Sequence, residues 1–141
     1  MARFLAPLLA TDSGLVAVGL NGGGDMQLLT RESVTDWTGE IGIQDPNQPD
    51  QVLAHLALQS GAVATSGIVS RGEHIAYQTA GRHALSATVV TEDLTTADIW
   101  ATALVAANFD TLDLGQSVPG TGLLVAANGE TRRWFLGQEV V

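Results

Sequence analysis

Apolar positions fall in short runs divided by turn-forming residues, a pattern of many strands and few helices. GLVAVGL, residues 14–20, is apolar enough for a buried strand. DMQLLTR, 25–31, follows NGGGD, whose turn residues suit a reversal between two strands. TDWTGEIGIQDP, with Trp37, Ile41 and Ile43, predicts another strand stopping at Asp45-Pro46, and PNQPD reads as a surface loop. VLAHLALQ, 52–59, fits helix and strand alike, because so short an apolar run carries no decisive period. AVATSG and GEHIAYQT come next, and HALSATVVT, 83–91, favours an extended chain through Val89, Val90 and the flanking threonines. GLLVAANGETRRWFLG closes the sequence as a hairpin turning at Asn128-Gly129.

Two segments break this pattern. ARFLAPLLATDS predicts a short helix weakened or bent by Pro7. TADIWATALVAAN, 96–108, is the strongest helical signal in the sequence. Strands with two helices imply an α+β or layered α/β fold around a mostly antiparallel sheet. No repeat or long linker divides residues 1–141, so a single domain is expected.

Charge narrows the partners. A formal net charge of −9, with six arginines and no lysine, has the wrong sign for nucleic acid or an anionic membrane surface. The absence of cysteine excludes disulfides and thiolate nucleophiles. No apolar run approaches the ~20 residues that span a bilayer, no signal peptide is recognisable at the start, and a cytoplasmic location is the default expectation.

In the second helix Asp98 and Thr102 stand four positions apart, on one face. Two oxygens so placed suit a hard divalent cation such as magnesium. The competing reading is a capping box over 95–98, with Thr95 as N-cap and Asp98 at N3. Of the histidines, His55 lies in an apolar run and His83 beside Arg82, where structural or exposed roles suffice, while His74 sits among polar residues between two apparent strands. Ala64-Thr65-Ser66-Gly67 places two hydroxyls ahead of what reads as a turn. Gly22-Gly23-Gly24-Asp25 allows close backbone approach to a ligand, without the pattern of a dinucleotide or phosphate loop.

Taken in order, NGGGDMQLL, WTGEIGIQDP, GAVATSG, HIAYQTAG and SATVVTEDLTTADIWATAL resemble the C-terminal half of the ApbE-type flavin transferases, formerly called thiamine-biosynthesis lipoproteins, over about residues 14–108, and the terminal hairpin is expected to belong to it as well. The resemblance implies magnesium-dependent transfer of FMN from FAD to a threonine or serine hydroxyl of a target protein, with release of AMP; some relatives hydrolyse FAD instead. The family's ADxxxT motif makes Asp98 and Thr102 the metal ligands. Its HxxDPxTG motif maps onto residues 74–81 and gives His74 the role of helping to deprotonate the attacking hydroxyl. Thr65, Ser66 and Gly67 inherit a place in the flavin-nucleotide site wall, with Asp25 beside them.

The sequence departs from the family at Tyr77-Gln78, where the motif has Asp-Pro, and at Ala80, where it has threonine. Family members are about twice as long, and their N-terminal half supplies much of the flavin pocket and a lysine-glycine motif that a chain without lysine lacks. Two further readings therefore stand beside the transferase. One is an inactive flavin- or metal-binding module; the other is a structural partner that pairs with an N-terminal-half polypeptide or with itself, through apolar surface such as residues 52–58.

Overall fold

The computed structural model describes residues 2–11, 14–68, 81–115 and 117–140. Among them are two helices, α1 (Ala2–Thr11) and α2 (Leu94–Ala106). The strands are β1 (Ala17–Gly22), β2 (Asp25–Thr30), β3 (Gly39–Gln44), β4 (Val52–Leu58), β5 (Gly61–Gly67), β6 (Ala84–Thr91), β7 (Thr121–Ala126), β8 (Thr131–Phe135) and β9 (Gln138–Val140). Seven of them form one antiparallel sheet in the order β1-β2-β5-β6-β7-β8-β9, and β3 pairs with β4 in a separate antiparallel hairpin. The fold is α+β, as the hydrophobic pattern predicts.

Local chemistry explains the reversals. Gly23 and Gly24 take φ of 74° and 105° between the paired Gly22 and Asp25, a conformation that side chains resist and two-residue hairpins need. At the other end of the sheet, Gly129 at φ 82° turns β7 into β8, and Asn128 accepts from the Glu130 N–H at 3.1 Å. The run 52–59 resolves as strand because β4 finds its partner in β3, with Ile41 opposite Leu56. In contrast, β1 is not the buried strand that GLVAVGL suggested: Gly19 to Gly22 are exposed, since β1 is the sheet's edge and pairs only with β2. AVATSG is not a turn either. Its last four residues continue β5 opposite Val89, Thr88, Ala87 and Ser86 of β6.

One face of the sheet carries the core. Ala62 and Ala64 of β5, Ala87 and Val89 of β6 and Leu124 of β7 lie against Ala97, Ala101, Leu104 and Val105 of α2 in one buried cluster. The alanines on both sides let the helix approach closely, while Leu104 and Val105 supply volume; burying one such side chain stabilises by roughly 1.5–3 kcal/mol. Trp134 of β8, 1% exposed, lies over Gly122 of β7, where no side chain could fit. Beyond α2, Arg132 donates to the Phe109 and Leu112 carbonyls and pairs with Glu139, and Arg82 bridges Asp110 and Glu130. Both arginines stack on the Phe109 ring. α1 packs on β1 and β2, burying Leu5 and Leu9 one turn apart around Pro7.

Candidate functional site

The start of α2 is fixed by two side chains. Asp93 is the N-cap, with extended backbone, and its carboxylate accepts from the N–H groups of Thr95 (2.9 Å) and Thr96 (3.3 Å) and from the Thr96 hydroxyl. The Thr96 hydroxyl, then these N–H groups, hold the Asp93 carboxyl below the usual carboxylate range. Gln27 of β2, 1% exposed, gives its carbonyl to the Leu94 N–H at 3.2 Å and its amide to the Gly61 and Glu92 carbonyls. A buried amide with three partners clamps β2, β5 and the helix entry together.

This corrects the capping box expected at Thr95. With the cap two residues earlier, Asp98 lies a full turn inside the helix, beyond the N–H groups that an N-cap or N3 side chain serves. Helix capping therefore leaves Asp98 unexplained. Its Oδ1 is sealed from solvent and has no hydrogen-bond partner among the described residues, an arrangement that costs free energy unless something outside those residues satisfies it.

Asp98 borders a cleft of about 300 Å³ between the β1–β2 hairpin and the first turns of α2, lined also by Leu20, Gly22, Asp25, Leu94 and Thr95. Asp25 is anchored by the Thr65 N–H, 3.1 Å from its Oδ1. One turn along α2, the Thr102 hydroxyl lies 2.9 Å from the Ser66 hydroxyl, and Ser66 is 1% exposed. The alternation of β5 separates the two adjacent hydroxyls. Ser66 faces α2, whereas Thr65 points to the opposite face and meets Thr88 of β6 at 2.9 Å. Gly67 is buried and ends β5 opposite Ser86.

Asp25, Ser66, Asp98 and Thr102 thus gather on the α2 side of the sheet, and Thr65 joins them through its backbone alone. His74 falls in 69–80, outside the described residues. His83 is structural: its Nδ1 lies 2.8 Å from the Ala107 carbonyl. Sequence reasoning missed Gln27 and Asp93, although Asp just ahead of a helical pattern is itself a cap signal. Among the described residues no group of three or more His, Asp or Glu could hold a metal ion. What Asp98 and Thr102 offer is a partial oxygen site, of the kind magnesium shares with phosphate oxygens of a ligand.

The sequence pattern of the ApbE family matches residues 5–119. The chain belongs to the ApbE family. The ApbE match extends beyond the 14–108 read from the motifs, taking in most of α1 and the loop after α2, and stops at 119, before the terminal hairpin. The crystal structure of the ApbE protein from Thermotoga maritima is 29% identical and superimposes with a TM-score of 0.64, over 83% of this chain and 42% of that one. The chain therefore spans less than half the length of that ApbE structure. No curated protein sequence matches it. No described helix is long and apolar enough to cross a membrane.

Proposed function

We propose that this ApbE-family chain takes part in magnesium-dependent transfer of FMN from FAD to a threonine or serine hydroxyl of a target protein. The observation that carries this reading is the Asp98 Oδ1, buried and unpartnered among the described residues, beside a cleft and one helical turn from the Thr102 hydroxyl. An anionic carboxylate oxygen and a neutral hydroxyl fit a hard cation, and their small number leaves room for diphosphate oxygens. Bound there, magnesium would supply charge neutralisation for the diphosphate and for charge developing on the transferred phosphoryl group.

The chain's own residues have the remaining work. Asp98 and Thr102 hold the site, and Asp25, locked by the Thr65 N–H, forms the opposite wall of the cleft. His74, assigned by motif, accepts the proton of the acceptor hydroxyl. The hydroxyl oxygen forms a bond to the FMN phosphorus, the bond from that phosphorus to the AMP oxygen breaks, and AMP leaves. Alignment contributes more than covalent participation by the protein.

A second reading, an inactive flavin- or metal-binding module, draws on Tyr77, Gln78 and Ala80 in the histidine motif and on the 42% coverage of the Thermotoga maritima structure. One assay separates the readings. The protein is incubated with FAD and magnesium, with and without a threonine-bearing acceptor, and AMP is measured. Acceptor-dependent AMP supports transfer, AMP without acceptor indicates FAD hydrolysis, and no AMP in either arm rejects catalysis by this chain.

A further inference from the structure

We infer that Ser66 is a positioning residue for the cation site, acting through Thr102 by accepting the hydrogen bond of that residue's hydroxyl. The inference rests on the cation reading above and adds to it a role for a side chain that does not itself face the cleft.

A threonine hydroxyl has one proton and two lone pairs. The Ser66–Thr102 contact of 2.9 Å can run in either direction. If Ser66 donates, the Thr102 proton is left to point elsewhere, and in one of its rotamers it meets the cation with the wrong sign. If Thr102 donates, its proton is committed to β5 and both lone pairs remain for the cation. A cation beside Asp98 selects the second arrangement.

Ser66 suits this task because it is 1% exposed, so its own hydroxyl is kept from water and is turned to Thr102, which lies exposed beside it. Its place is set from both sides, since Ser66 lies opposite Ala87 in the ladder and the neighbouring Thr65 N–H is tied to Asp25. The small Ala97 and Ala101 of α2 and Ala64 of β5 share one cluster and allow helix and strand to come within hydroxyl–hydroxyl distance. Partners that orient a metal ligand in this way typically change metal affinity by about 10–100-fold when removed.

The test is a double-mutant cycle read by Mn²⁺ binding, with inorganic pyrophosphate present, by electron paramagnetic resonance. Ser66→Ala is expected to weaken Mn²⁺ binding by about 10–100-fold. In a Thr102→Val background the same change should leave the affinity within about twofold, because the partner through which Ser66 acts is gone. Equal losses in both backgrounds, or no loss in either, would overturn the role. Ser66→Cys, which preserves volume with a weaker donor and acceptor, replaces Ser66→Ala if the latter fails to fold. Asp98→Ala separates the two levels: unaltered Mn²⁺ binding there would reject the cation site itself, whereas its loss together with an uncoupled Ser66 would reject only the positioning role.

Discussion

Removing the Asp98 carboxylate should stabilise the metal-free protein. Without a cation, the wild type keeps a sealed carboxylate oxygen that has no partner among the described residues, and an unsatisfied buried polar group costs about 1–3 kcal/mol, more when charged. Asp98→Ala removes that burden and gains roughly 0.6 kcal/mol of helix propensity at a mid-helix position. Against this stands the attraction of a carboxylate to the helix N-terminus, about 0.3–1 kcal/mol and fading beyond the first turn, where Asp98, five residues after the Asp93 cap, already lies. The net expectation is a gain on the order of 1–2 kcal/mol.

Thermal unfolding in chelator would register this as a rise in Tm of a few degrees, since 1 kcal/mol moves Tm by about 2–4 °C in domains of roughly 150–250 residues. With magnesium and pyrophosphate at about 100 times their dissociation constant, the wild type alone should gain about 2.7 kcal/mol. The two proteins should therefore exchange rank between the two buffers. A loss of stability for Asp98→Ala in chelator would refute the reasoning, and so would equal stabilisation of both proteins by the ligand.

Three further changes probe the frame around the site. Asp93→Ala should cost about 0.5–2 kcal/mol at neutral pH by urea unfolding; because the folded carboxyl sits below its ordinary range, the difference from wild type should hold above about pH 5 and shrink as acid protonates it in both states. Gly122→Ala would set a methyl carbon 2.3 Å from the Trp134 ring and 2.4 Å from the Thr88 carbonyl, so denaturant titration should show a loss of about 1–3 kcal/mol or more. Gly22→Leu should leave stability within about 0.5 kcal/mol, since a Cβ there meets nothing within 4 Å, yet it fills the Asp25–Asp98 cleft. Unchanged pyrophosphate or FAD binding by calorimetry in Gly22→Leu would place the ligand elsewhere.

Features encoded over a few neighbouring residues are legible in the sequence itself. The reversals at 21–25 and 128–129 are written in Gly and Asn, because Gly23, Gly24 and Gly129 take the positive φ while the Asn21 and Asn128 side chains accept from the Gly24 and Glu130 N–H groups. The Asp98–Thr102 pair is equally local, since one helical turn guarantees that both face the same way. Burial is less accessible. GLVAVGL and GAVATSG are similarly small and apolar, yet one is an exposed edge and the other a buried interior strand of the sheet. Their fates depend on which strands flank them, and that information lies tens of residues away.

The same distance effect governs the site. Nothing in Thr65-Ser66 alone says that one hydroxyl would meet Thr88 and the other Thr102, because the division appears only once β6 pairs alongside β5 and α2 covers one of its faces. Gln27 likewise reads as a polar residue in a strand until Leu94, Gly61 and Glu92 close around it. Both cases follow from the economy of a thin sheet: a buried polar side chain persists only where a distant element satisfies it. Asp98 Oδ1 is the exception within the described residues. The proposed cation site turns on that atom, because the neighbouring buried polar groups Gln27 and Ser66 have their partners within the described residues.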